Sequence, residues 1–177
     1  MNNTQYLSDD TILLRIPEPY DLDIIYQWEN DTTLWNVGCA TAPFSRKLIE
    51  EYIAEYNPDI YSAKQLRLMI VRKNDNAPIG AIDLYDFDPH NRRAAAGIII
   101  DSRFRHQGYG LRALNLLADY CHSMLGMHQL HAIIPVTNES SIKLFQKAGF
   151  KICGRYRSWL RRGASYEDAF SLQKLFN

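Results

Sequence analysis

Several things are scarce in this chain, and each scarcity removes a class of protein. No apolar run approaches the ~20 residues that a membrane-spanning helix needs. Cysteine occurs three times, at Cys39, Cys121 and Cys153. No CxxC pair is present, so neither a structural zinc site nor a disulfide framework is expected. The opening MNNTQYLSDD is polar and acidic, unlike a secretory leader, and residues 1–10 are expected to form a loose lead-in. Repeats, low-complexity tracts and linkers are missing, which predicts one domain over residues 1–177, in a reducing cytoplasm.

Net charge is also absent, but only in total. Residues 1–90 carry 15 acidic and 7 basic side chains, whereas residues 91–177 carry 5 and 13. A division of this kind suits two ligands of opposite sign.

With 46% apolar and 23% charged residues, the chain has the balance of an ordinary globular domain. Periodicity then orders its elements. A first strand over Thr11–Pro17 precedes two helices. One carries Leu22, Ile25 and Trp28 on its apolar stripe; the other carries Leu48, Ile49, Tyr52 and Ile53 behind an N-cap at Ser45. Three strands follow. The first alternates Leu66, Leu68 and Ile70, and the third, Ala94–Ile100, is apolar on both faces and so belongs in the middle of a sheet. A helix with Leu114, Leu117, Cys121 and Met124 inward leads to a strand over Gln129–Val136. A short helix ending at Gly149 and a two-strand hairpin complete the order β α α β β β α β α β β, a mixed α/β domain.

Between the third of those strands and the next helix lies Arg105-His106-Gln107-Gly108-Tyr109-Gly110. A glycine turn that opens a helix presents several backbone N–H groups together, reinforced by the helix dipole, and suits a phosphate or pyrophosphate. A Walker A loop would need a lysine after the glycines, and none is there. A dinucleotide fingerprint would need a βαβ setting, but three consecutive strands come first.

Downstream, the chain reads NESSIKLFQKAGF. R-x-x-G-x-G after a strand, then a helix, a strand and this segment, resembles the GNAT family of acetyl-CoA-dependent N-acetyltransferases. The matching residues are Arg105, Gly108, Gly110, Asn138, Ser141, Lys147, Gly149 and Phe150. The segments Trp28–Asp31, Ala42–Ser45 and RRAAAGIII look like the branch of ribosomal-protein N-terminal and spermidine acetyltransferases. The resemblance implies a single domain whose mostly antiparallel mixed sheet, flanked by helices, is splayed between its fourth and fifth strands. It implies acetyl-CoA as co-substrate without a metal. The pantetheine arm would lie along Ile98, Ile99 and Ile100, and the pyrophosphate on Arg105, His106, Gln107, Gly108, Tyr109, Gly110 and Leu111. Asn138, Ser141, Phe145 and Lys147 would flank the rest. Arg103, Arg105, Arg112, Lys143 and Lys147 would surround the polyanion, and the acidic half would face a cationic acceptor. That acceptor would be a small amine, a polyamine or a protein N-terminus, and a homodimer is the candidate assembly.

Acid–base chemistry is where the resemblance thins. Relatives often carry a tyrosine at the position of Phe145 and a glutamate in the stretch holding Ala94–Ala96. Asp83 and Tyr85, alternating onto one face of a strand, are the candidate base and acid, with Ser141 as a water-mediated donor. Trp28, Trp35, Phe44 and Tyr85 are candidates for an aromatic acceptor pocket. The histidines His122, His128 and His131 share no metal-ligand spacing and read as surface or packing residues. Arginines on the final hairpin lack a stacking platform, which argues against nucleic acid. The vacant acid–base positions keep a second reading open, a non-catalytic module that binds CoA or acyl-CoA as a sensor or subunit.

Overall fold

A computed structural model describes residues 6–33 and 42–176. Trp35 and Cys39 lie outside the described residues. Seven strands form one sheet in the order β1-β2-β3-β4-β5-β7-β6, where β1 is Ile12–Arg15, β2 Leu66–Arg72, β3 Ala77–Asp88, β4 Arg93–Ile100, β5 Gln129–Pro135, β6 Lys151–Arg162 and β7 Ser165–Leu175. All neighbours are antiparallel except β4 and β5. The expected centre of the sheet, β4, is the fourth strand of the seven.

Helices cover both faces. α1 (Leu22–Glu29) and α2 (Arg46–Ala54) pack on one side; their Ile25, Trp28, Ile49 and Ile53 meet Met69, Val71 and Ala81 of the sheet. α4 (Tyr109–Ser123) and α5 (Glu139–Lys147) pack on the other, where Leu114, Leu117, Ala118 and Phe145 join Leu68, Ile82, Leu84 and Leu130 in the larger core. Ser45 caps α2 as expected, its hydroxyl accepting from the Leu48 N–H at 3.1 Å. A single turn, α3 (Ile60–Ala63), capped by Asp59, escaped periodicity because it is shorter than the helical repeat requires.

Four expectations are corrected. β2 does not alternate: Met69 and Val71 are buried as fully as Leu68 and Ile70, because helices lie on both faces. Leu48, in the first turn of α2, and Met124, just past the end of α4, lie outside the covered stripe and are 49% and 46% exposed. The lead-in is anchored over residues 6–10. Asp9 accepts backbone N–H bonds from Thr11 and Ile12 at 2.7 Å, and Asp9 and Asp10 both pair with Arg112.

Candidate active site at the β4–β5 fork

β4 and β5 are joined only over Arg93–Ala95, which pair with Gln129–His131. Beyond Ala95 the strands part, although β4 stays paired with β3 up to Ile100. Burial changes at the same point. Ala94, Ala95 and Ala96 are fully buried, whereas Gly97, Ile98, Ile99 and Ile100 are half-exposed. An apolar run in the middle of a sheet that loses its cover there marks a groove, with one row of main-chain groups free of a strand partner.

The groove opens toward the turn that follows β4. Gly108 occupies the N-cap of α4 in the left-handed region at φ 85°, with no side chain capping the helix. A Cβ added there would meet nothing within 4 Å, so the space before this helix end is clear. Uncapped N–H groups, a clear approach and the helix dipole together suit an anion. Gly110 serves a different need: a Cβ there would come within 3.1 Å of Leu144, so its smallness lets α4 meet α5 closely.

Asp101, the residue after β4, anchors the turn. It is 6% exposed and accepts from the Arg103 guanidinium at 2.8 and 3.0 Å, from the Arg103 N–H at 3.0 Å, and from Trp28 Nε1 at 3.0 Å. The Arg103 guanidinium beside it holds this carboxyl well below its ordinary range, with the Trp28 bond helping and burial opposing. A cavity of about 170 Å³ adjoins this anchor, between Gln27, Trp28 and Asp31 on one side and Ser102, Arg103 and Arg105 on the other. That is too small to enclose a nucleotide cofactor, so an extended ligand would have to use the open groove.

On the α1/α2 face, Arg67 of β2 sits between two carboxylates. Its Nε and Nη2 donate to Asp83 at 2.7 and 3.2 Å, and its Nη1 to Glu29 at 2.5 Å. Burial works against the guanidinium charge, but Asp83 and Glu29 outweigh it and raise its pKa further. Tyr56 closes the group: its hydroxyl donates to the Arg67 carbonyl and accepts from the Arg67 N–H, both at 2.7 Å, and burial pushes the phenol up to about 12.

These contacts redistribute the roles expected of individual residues. Asp83 is held bidentately by Arg67, and Tyr85, 38% exposed, lies across the ladder from Ala95. Trp28 is core, 7% exposed, with only its edge on the cavity. Phe44 packs beside it, its backbone clamped by the Asn30 side chain at 2.9 and 3.1 Å. Phe145 is 3% exposed and stands edge-on to Phe150, so its ring fills the core and does not face the groove. Asn138 uses its carboxamide oxygen to cap α5 on the Ser141 N–H at 3.2 Å, and its NH₂ has no partner among the described residues. Of the five cations expected around a polyanion, Arg103, Arg112 and Lys143 are paired within the chain. Arg105 and Lys147 make no ion pair among the described residues; Arg105 donates to the Ile100 carbonyl at 2.9 Å. Sequence reasoning missed Asp101, Arg67 and Glu29. One signal was available: an arginine inside the otherwise apolar LRLMIV needs an acidic neighbour.

Comparison with known proteins agrees with the groove. A GNAT acetyltransferase domain matches residues 11–151. Over 165 residues the chain is 24% identical to a spermidine N(1)-acetyltransferase of Escherichia coli K12, covering 93% of this chain and 86% of that enzyme. An L-amino acid N-acetyltransferase of the same organism is 26% identical over 94 residues, 53% of this chain and 58% of that one. The crystal structure of spermidine N-acetyltransferase from Vibrio cholerae in complex with CoA and spermine superposes with a TM-score of 0.83 at 22% identity, over 94% of this chain and 96% of that one. The match across residues 11–151, on a seven-stranded sheet that forks between β4 and β5 beside an uncapped helix N-terminus, establishes that this chain belongs to the GNAT family of acetyltransferases.

Proposed function

We propose that this acetyl-CoA-dependent N-acetyltransferase acts on a primary amine carried by a small cationic molecule, with a polyamine as the first candidate. The observation that carries the reading is the Glu29–Arg67–Asp83 group on the acceptor face, two carboxylates against one guanidinium, with a net negative charge. The acidic half of the chain favours the same ligand, and the spermidine relatives supply the precedent. A binding module without turnover is not favoured, since the matching domain is that of an acetyltransferase.

Acetyl-CoA, when bound, supplies an activated acyl carbon on a sulfur leaving group. Main-chain groups of Ile98, Ile99 and Ile100 hold the arm in the groove, and a backbone N–H of β4 at the closed end of the fork, near Ala96 or Gly97, steadies the carbonyl oxygen. N–H groups of Gly108–Leu111, with Arg105, hold the pyrophosphate; the Asn138 NH₂ binds the arm from α5, and Lys147 meets the charged end. Tyr85 supplies the proton for the departing thiolate, whose ordinary pKa near 8.5 already makes it a fair leaving group. Asp83 fixes Arg67 and shapes the charge of the acceptor side; both of its carboxylate oxygens accept from Arg67.

A thiol-release assay with acetyl-CoA over spermidine, simple monoamines, L-amino acids and a peptide with a free N-terminus tests this. The highest kcat/KM should fall on the polycation. A preference for the peptide would overturn the acceptor reading.

A further inference from the structure

We propose that His131 is the base that takes the proton from the acceptor amine at the closed end of the fork. The inference rests on the donor placement above. Its geometric basis is a row of residues running across the sheet. Tyr85 of β3 pairs with Ala95 of β4, Ala95 with His131 of β5, and His131 with Gln173 of β7. Directly paired residues share a face, and the row lies on the acceptor side, two residues along β3 from Asp83 and on the same face.

Ala95–His131 is also the last pair before the strands part. With the pyrophosphate at the start of α4, the reactive end of an extended arm lies at the opposite, closed end of the groove. Ile100 lies five residue steps along β4 from Ala95, about 17 Å of strand. The alanines Ala94–Ala96 offer no proton acceptor there. Tyr85 and His131 flank them.

His131 is half-buried, and its ring makes no hydrogen bond among the described residues, so a ring nitrogen is available to an incoming ammonium. Around it stand Arg93 and Ala95 on β4, Asp86 and Tyr85 on β3, Gln129 on its own strand and Gln173 on β7. Burial and then Arg93 lower its pKa, against a smaller opposing effect of Asp86, which keeps the ring neutral at neutral pH. The ammonium gives its proton to the imidazole. The freed nitrogen lone pair forms the bond to the acetyl carbon as the C–S bond breaks with its electron pair on sulfur. The thiolate then takes a proton from Tyr85, which recovers one from the new amide nitrogen through solvent, and the imidazolium releases its proton to water.

The test uses the full chain, acetyl-CoA and the best acceptor from the panel above. His131→Gln should lower kcat/KM for the amine about 100-fold and leave the CoA dissociation constant unchanged. The ascending limb of the pH profile should lie below the usual histidine value of about 6.5 in the wild type, and move toward the amine's own value of about 10 in the variant. Added imidazole should restore part of the rate of His131→Ala. A His131→Gln rate within about threefold of wild type, with an unmoved limb, would overturn the assignment, as would loss of CoA affinity in that variant. If Gly108→Asp kept full CoA affinity, the donor placement would be the part that fails.

Discussion

The two sides of the fork are built from different materials. On the proposed donor side, the groups offered to a ligand belong to the main chain: the edge of Gly97–Ile100 that β5 leaves and the uncapped N-terminus of α4. Side chains there mostly secure the backbone, as Asp101 does with Arg103 and Trp28. On the proposed acceptor side, the charged side chains reach one another over long sequence separations. Arg67 joins Glu29, 38 residues away, to Asp83, 16 residues away.

The largest expected effect separates the two directly. Gly108→Asp sets a charge before the helix end and forces an L-residue to φ 85°. CoA affinity should fall at least about 100-fold, close to 3 kcal/mol, with little change in affinity of the free enzyme for the amine. Gly108→Ala adds strain without charge, and calorimetric titration should show a much smaller loss. Second in size is Arg67→Met, which leaves Glu29 and Asp83 facing each other half-buried, with side chains 27% and 25% exposed. Stability by urea unfolding should drop by about 2 kcal/mol, below the cost of a fully buried pair because water can reach both carboxylates. KM for the amine should change and the CoA dissociation constant should not. A variant that lost CoA affinity instead would break the division between the two sides.

That division also explains what was legible in the sequence. Glycine at 108 and 110 encodes backbone behaviour, which is local, so a phosphate-holding turn could be read from adjacent residues, whereas the groove along the triple isoleucine and coenzyme A itself were implied only by the family resemblance of the longer pattern. Ser45 at the start of α2 was readable for the same reason. Phe145 was misjudged because a motif position says where a residue lies along a helix, not that its ring turns into the core against Phe150. His131 reads locally as a surface or packing residue, and the role proposed for it follows only from the register with Ala95, which pairs parallel strands 36 positions apart. The Arg67 group failed likewise: nothing local to Glu29 announces a partner in β2.

Asp101→Asn comes next. A folded-state carboxyl held below its ordinary range contributes stability that is fully present above the unfolded value of about 3.9 and is lost as pH falls through the folded value. The variant keeps the shape and one acceptor for Trp28 Nε1–H, but turns an NH₂ toward the Arg103 donors. It should be about 1–2 kcal/mol less stable at pH 7. This deficit should stay constant down to about pH 4 and narrow below it, as the wild type loses the same charge. Urea midpoints from pH 7 to pH 3 would show the convergence; parallel curves throughout would mean that the carboxylate charge carries none of the effect.

Trp28→Phe is the smallest change and the one that tests whether the two sides are coupled at all. The Trp28–Asp101 hydrogen bond crosses 73 residues and ties α1, an acceptor-side helix, to the first residue of the donor turn. Phenylalanine keeps most of the packing against Ile25 and Ile49 but removes the indole N–H, so among the described residues the Asp101 carboxylate retains its bonds to Arg103. About 1 kcal/mol of stability should be lost. If the bond merely holds α1 in place, KM for acetyl-CoA should not move. If it also fixes the turn, that KM should rise severalfold, and adding Asp101→Asn should cost less than the two single changes together, by about 0.5 kcal/mol or more. Strict additivity would leave the donor and acceptor sides energetically separate, joined by chain connectivity and the shared strand β4 alone.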